Sequence, residues 1–221
     1  MKENRISDNV IRRLPRYLRA LTELEERGEE KVSSSELGRL LGLTASQIRQ
    51  DLNCFGGFGL QGYGYNVPTL RVAISGILGM NRGYRAVLVG VGNIGRALIE
   101  RFQFNDWGFT LQCAFDIDPA VVGTSQRGIP VLDSSALPEY LRENRVDAAV
   151  LAVPAQEAKE VAALLRRCGV EAIWNFTNVD VQPPGSDVIV ENVHFSDSLL
   201  ALSYFLTEKR EGQKSAVEQN G

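Results

Sequence analysis

VLVGVGNIGRALIE, residues 87–100, decides the second half of the chain. A buried apolar run, Arg85–Val91, leads into Gly90-x-Gly92-x-x-Gly95 and then into an amphipathic helical pattern over Ile94–Phe104. Strand, turn and helix stand in the order a dinucleotide-binding turn requires. The first two glycines permit the tight turn and the close approach of a pyrophosphate. The third lets helix and strand pack, and the helix N-terminus favours negative charge.

The pattern continues outward from this turn. TLQCAFDID ends on Asp116 and Asp118, at the spacing where an acidic residue takes adenosine ribose hydroxyls. Asp116 is the better placed, and no arginine follows it directly to hold a 2′-phosphate, which favours NAD(H) over NADP(H). Asp118 reads as a turn residue before Pro119. GIPVL, DAAVLAVP, EAIWNFT and DVIVENV read as strands, with LPEYLRENR and AQEAKEVAALLRRCG as helices between them. This alternation predicts a doubly wound, mostly parallel α/β sheet, the Rossmann class, over residues 81–196. SDSLLALSYFLTEKRE follows as a helix apolar on much of its circumference, over 197–211, which needs more than one surface to bury against. The polar stretch 212–221 is expected to be a disordered tail.

More than eighty residues precede the glycine turn, and they differ in charge. Residues 1–85 carry 13 Lys/Arg against 9 Asp/Glu, whereas residues 86–221 carry 11 against 18. A basic front and an acidic back point to two domains with different partners. Between Asn9 and Arg27 apolar residues recur at three- and four-residue steps, with Pro15 inside the pattern. That proline implies either a kink or a second helix starting near Leu14. Ser33-x-x-Glu36 and Thr44-x-x-Gln47 are capping boxes that open two short helices, about Ser34–Leu41 and Ala45–Phe55. Only Gly42-Leu43 separates them, which suits a helix-turn-helix. In the second helix Ile48, Leu52 and Phe55 face a core, and Ser46, Gln47, Arg49, Gln50 and Asn53 form a polar face. Amides and arginine are the groups that meet base edges and phosphates. FGGFGLQGYGYNVP, residues 55–68, alternates glycines with Phe58, Leu60, Tyr63 and Tyr65, a β-hairpin wing with Gln61 near its tip. A winged helix-turn-helix domain is therefore expected over residues 1–80.

Other chemistries find little support. His194 is the chain's one histidine, and Cys54, Cys113 and Cys168 are scattered, so no catalytic or metal-ligand set is expected. No apolar stretch approaches a membrane span, no secretory core opens the chain, and a reducing cytoplasm is the expected setting. From the residues alone two readings stand: a nucleotide-sensing DNA-binding regulator, or a small oxidoreductase or CoA/nucleotide-binding protein with an accessory helical domain.

TASQIRQDL, the glycine–aromatic wing, GVGNIG, AFDID, NFT and the terminal helix together resemble the Rex family of redox-sensing transcriptional repressors, over roughly residues 5–208. The resemblance implies a homodimer that swaps its C-terminal helices. It also implies binding to an A/T-rich palindromic operator when NAD⁺ dominates, and release when NADH accumulates. Carried over by position, Ser46, Gln47, Arg49 and Gln50 would face the major groove. Gln61 and Tyr63 of the wing would lie near the minor groove. Gly90, Val91, Gly92, Asn93, Ile94 and Gly95 would hold the pyrophosphate and Asp116 the ribose, while Phe195 would stand near the nicotinamide across the dimer. Some relatives carry basic residues where this chain has Gln50 and Gln61, and fewer cations lower phosphate affinity and its salt dependence. Some also build a switch from an arginine, a tyrosine and an aspartate. Arg19 matches the first, but Arg101 and His194 occupy the other two places.

Overall fold

The computed structural model describes residues 6–60, 63–182, 185 and 187–218, and the chain divides into two compact units, Met1–Arg82 and Gly83–Gly221.

In the first unit α1 runs Asp8–Glu26 as one helix through Pro15, so no second start forms near Leu14. Proline frees the carbonyl of Ile11 one turn back. Both residues lie on the exposed face, where water can take the freed group. Leu14, Tyr17, Leu18, Leu21 and Leu24 turn inward at helical spacing. The helix ends in a Schellman motif: Gly28, at φ 78°, donates to Glu25 O and Glu29 donates to Leu24 O. β1 is Lys31–Val32. α2 (Ser34–Leu41) and α3 (Ala45–Asn53) open where the capping boxes place them, with Ser33 Oγ accepting from Glu36 N–H and Thr44 Oγ1 from Gln47 N–H. Gly38 lets the two helices meet, since a Cβ there would stand 2.6 Å from Leu43 O. β2 (Gly59–Leu60) and β3 (Gly64–Asn66) form the wing hairpin, and β3 also pairs with β1 in a three-stranded antiparallel sheet. Asn66 then caps α4 (Val67–Ile77), with Pro68 in its first turn.

The second unit is built on a seven-stranded sheet. Its strands are β4 (Tyr84–Val89), β5 (Phe109–Asp116), β6 (Ser125–Gln126), β7 (Ile129–Asp133), β8 (Ala148–Leu151), β9 (Ala172–Asn175) and β10 (Ile189–Asn192), in spatial order β10-β9-β8-β4-β5-β7-β6. All pairings are parallel except that of the edge strand β6. Reading across from β7, the parallel strands follow the 3-2-1-4-5-6 order of a dinucleotide-binding sheet. The chain reverses direction across the sheet between β4 and β8, and a crevice opens there at the strands' carboxyl ends. α5 (Asn93–Arg101), α6 (Leu137–Glu143) and α7 (Ala155–Arg167) cover the faces. Leu137, Leu141, Ala158, Ala162 and Leu165 pack with Val87, Phe115 and Leu151 on one side, and Ile99, Phe104 and Leu111 pack with Leu88 and Val150 on the other.

α8 runs from Phe195 to Glu218. The helix takes in residues 212–218, which the sequence pattern placed in a disordered tail. Every described side chain from Phe195 to Glu211 is exposed.

Candidate cofactor cleft and nucleic-acid interface

The glycine turn works by backbone approach. Gly90 sits at φ 97°, and a Cβ on it would lie 2.6 Å from Ala152 O; a Cβ on Gly95 would lie 1.9 Å from Gly90 O. The turn is thereby pressed against the loop after β8, and the start of α5 against the turn. Gly92 differs, because nothing lies within 4 Å of where its Cβ would be. It lines a cleft of about 540 Å³ and occupies the cap position of α5 without a side chain to cap it. The first N–H groups of the helix are therefore left without an intrahelical partner beside open space, the arrangement that takes a phosphate.

The same cleft is lined by Asn93, Ile94, Asp116, Ile117, Ser134, Val153 and Glu157. Asp116 ends β5 with its carboxylate already oriented: Oδ2 accepts from Val91 N–H at 2.5 Å and Oδ1 from Asp118 N–H at 2.8 Å. Its remaining lone pairs suit a ribose diol, which fits NAD(H). Val91 itself is buried, so its part is to hold Asp116 through its N–H. Asp118 accepts from Ala120 N–H at 2.9 Å, a turn bond, as its place before Pro119 suggests. Ile117, 70% exposed, was not legible as a site residue. With Leu137, Val153, Val161 and Leu164 it gives the cleft an apolar wall of the kind that takes a flat heteroaromatic base.

A second hollow adjoins the start of α5, lined by Asn93, Ile94, Arg101, Phe102, Phe176 and Phe195. The resemblance has Phe195 reaching across a dimer; within one chain it already stands 6.4 Å from Phe176, centroid to centroid, while 60% exposed. Arg101, the last residue of α5, borders this hollow, whereas His194 does not and instead places Nε2 3.5 Å from Asp180 Oδ1. Arg19 is exposed on α1 in the first unit.

On α3, Ser46, Arg49 and Gln50 are exposed, as a DNA-reading face requires. Arg49 Nη1 donates to Ser34 Oγ at 2.9 Å, which draws its guanidinium toward the start of α2. Gln47 is half-buried and committed to a protein partner, its Nε2 donating to Asp51 Oδ1 at 2.8 Å. Asp51 is a residue that sequence reasoning passed over, although a carboxylate three residues after Ile48 on the core side demands an explanation. Tyr63 in the wing is 72% exposed, with the Lys31 ammonium 5.8 Å from its ring centroid, so a cation stands at the base of the wing. Gln61 lies outside the described residues. Among the described residues there is no group of three or more His, Cys, Asp or Glu that could hold a metal ion, and no helix long and apolar enough to cross a membrane.

Comparison with known proteins joins the two sites. Residues 5–53 match a family model described as a putative DNA-binding protein N-terminus, and residues 81–179 one described as a CoA binding domain. A redox-sensing transcriptional repressor Rex from Clostridium tetani (strain Massachusetts / E88) is 48% identical over 210 residues, covering 95% of this chain and 99% of its own. The chain belongs to the Rex family. Another Rex repressor, from Clostridium beijerinckii (strain ATCC 51743 / NCIMB 8052), is 49% identical over 207 residues, covering 94% of this chain and 98% of its own. Solved structures of RSP, a Rex-family repressor, also superpose over the whole Rex architecture. The form with β-NAD⁺ and operator DNA gives a TM-score of 0.87 at 44% identity, covering 96% of this chain and 97% of that one. The form with β-NADH gives 0.88 at 42% identity, covering 96% and 99%. The relatives of matching length are transcriptional repressors and not enzymes, which sets aside the oxidoreductase reading, and the CoA-binding match covers only the second unit.

Proposed function

We propose that this Rex-family chain represses transcription in the cytoplasm as a homodimer on an A/T-rich palindromic operator, bound when NAD⁺ dominates and released by NADH. One observation carries the reading: a dinucleotide cleft with an open Gly92 and an oriented Asp116 shares a chain with an exposed polar helix, in a fold matching a repressor solved both with NAD⁺ and operator DNA and with NADH. Ser46, Arg49 and Gln50 are the groups we assign to the operator, with Gln61 and Tyr63 of the wing. Gly90 to Gly95 and Asp116 are assigned to the cofactor. α8 supports the dimer, since Phe195, Leu199, Leu200, Leu202, Tyr204 and Phe205 are each at least 54% exposed along it. A helix this apolar is stable in water only when a second surface covers it, and a swapped copy supplies one. NADH then releases DNA because it binds the DNA-incompetent arrangement of the dimer more tightly than the competent one. Arg19, Arg101 and His194 are the positions we assign to that coupling, although they are not the arginine–tyrosine–aspartate set of some relatives.

The test is fluorescence anisotropy of the full chain on a labelled palindrome from its own promoter region, titrated with NADH over an NAD⁺ background at fixed salt. Release at NADH concentrations where NAD⁺ has little effect is the expected outcome. Tight binding indifferent to both nucleotides would mean that the switch is lost, and absence of specific binding would overturn the repressor reading.

A further inference from the structure

α3 carries a charge on its buried side. Asp51 lies between Ile48 and Leu52 on the face that enters the core, and it is 1% exposed. A lone carboxylate there would be too costly to keep ionised. It is kept by four hydrogen bonds. Arg13 donates from Nε to Oδ2 at 2.6 Å and from Nη2 to Oδ1 at 2.7 Å, the Tyr17 hydroxyl to Oδ2 at 2.9 Å, and Gln47 Nε2 to Oδ1 at 2.8 Å. Each carboxylate oxygen receives two donors and is saturated. Burial pushes the Asp51 carboxyl up, but the bonds from Arg13, Gln47 and Tyr17 outweigh it and hold the group below its ordinary value. Tyr17 is wholly buried and its hydroxyl is pushed well above the usual phenol range, by burial first and by Asp51 second.

The consequence falls on Gln47. An amide side chain in the first turn of a DNA-reading helix ordinarily turns over, offering either its carbonyl or its amino group to a base. Next to an ionised carboxylate, which only accepts, the amide nitrogen must face Asp51 and the carbonyl Oε1 must face away. We propose that Arg13, Tyr17 and Asp51 are positioning residues that lock the Gln47 carboxamide, making Gln47 a specificity residue that presents a fixed acceptor to one base in each operator half-site. This rests on the operator-binding reading above. In the major groove a fixed acceptor selects the base edges that carry an amino donor, adenine N6 or cytosine N4, over guanine O6 and thymine O4. A free glutamine makes no such choice.

The experiment measures full-length protein against a panel of synthetic palindromic duplexes in which each half-site position is changed in turn to all four bases. Wild type is expected to prefer adenine or cytosine by about tenfold at one position per half-site. Gln47→Ala should flatten that position alone. Tyr17→Phe, which keeps the ring and removes one donor, should relax the same position with the salt dependence of binding unchanged. Asp51→Asn should abolish the preference, and Tyr17→Phe keeps the test decisive if that variant does not fold. Equal weakening on every duplex by Gln47→Ala, or wild-type base preference in Tyr17→Phe, would overturn the lock. Wild-type protein that fails to distinguish the palindrome from scrambled duplex would instead overturn the operator reading.

Discussion

The two sites of this molecule are held in shape by opposite means. In the second unit the glycine turn is positioned by missing atoms: Gly90 and Gly95 bring backbone within reach of backbone, and Asp116 is held in turn by a main-chain N–H of that turn. In the first unit α3 is tied to α1 by side chains, through the hydrogen bonds converging on Asp51. A backbone-built turn fails when a single methyl group is added where backbone meets backbone. A side-chain-built site tolerates small changes in volume but depends on which groups are ionised.

The largest effect expected from this contrast is at Gly95. Gly95→Ala places a Cβ against Gly90 O and should cost about 3 kcal/mol or more, read as a lower melting transition together with lost NADH binding. Gly92→Ala sharpens the point, because its φ of −70° suits alanine and its Cβ meets no protein atom. Its melting temperature should match wild type while NADH affinity drops about tenfold or more, leaving a repressor that stays on DNA. An equal loss of stability in both variants would break the distinction between packing glycine and ligand glycine.

Arg49→Ala comes next. Removing an exposed guanidinium from α3 should weaken operator binding by about 1–3 kcal/mol per half-site, with NADH affinity intact. Normal operator binding would show that the face of α3 has been misassigned. The smallest effect at neutral pH is the one that separates the two sites by titration. Asp51 titrates below its unfolded value of about 4, so its contribution to stability is complete above that pH and is lost as pH falls through the folded value. Urea unfolding of the full chain should therefore lose stability as acid is added below about pH 4, and Asp51→Asn should flatten that loss. An unchanged slope would mean that the carboxylate is not held ionised in the folded unit.

Much of this was legible because it depends on neighbours in sequence. Ser33 and Thr44 cap helices three residues away, so α2 and α3 could be placed from the chain alone. Gly90-x-Gly92-x-x-Gly95 lies within one turn, and Asp116 follows at the end of the next strand. Pro15 was ambiguous because its cost depends on which face of α1 meets water. Asp51 could be read as out of place, but Arg13 is 38 residues away and Tyr17 is 34, so its partners could not.

The sequence by itself therefore determined the winged helix, the β/α alternation of a Rossmann unit, the glycine turn and the family, all of which rest on periodicity, caps and short motifs. Tertiary structure alone decided that Gly92 faces open space while Gly95 is jammed, that Gln47 is bound to a carboxylate and not free to turn, and that Phe195 already borders its own chain's hollow. Those outcomes depend on atoms brought together from distant parts of the chain, where burial fixes which donors an oxygen receives and where a Cβ has room.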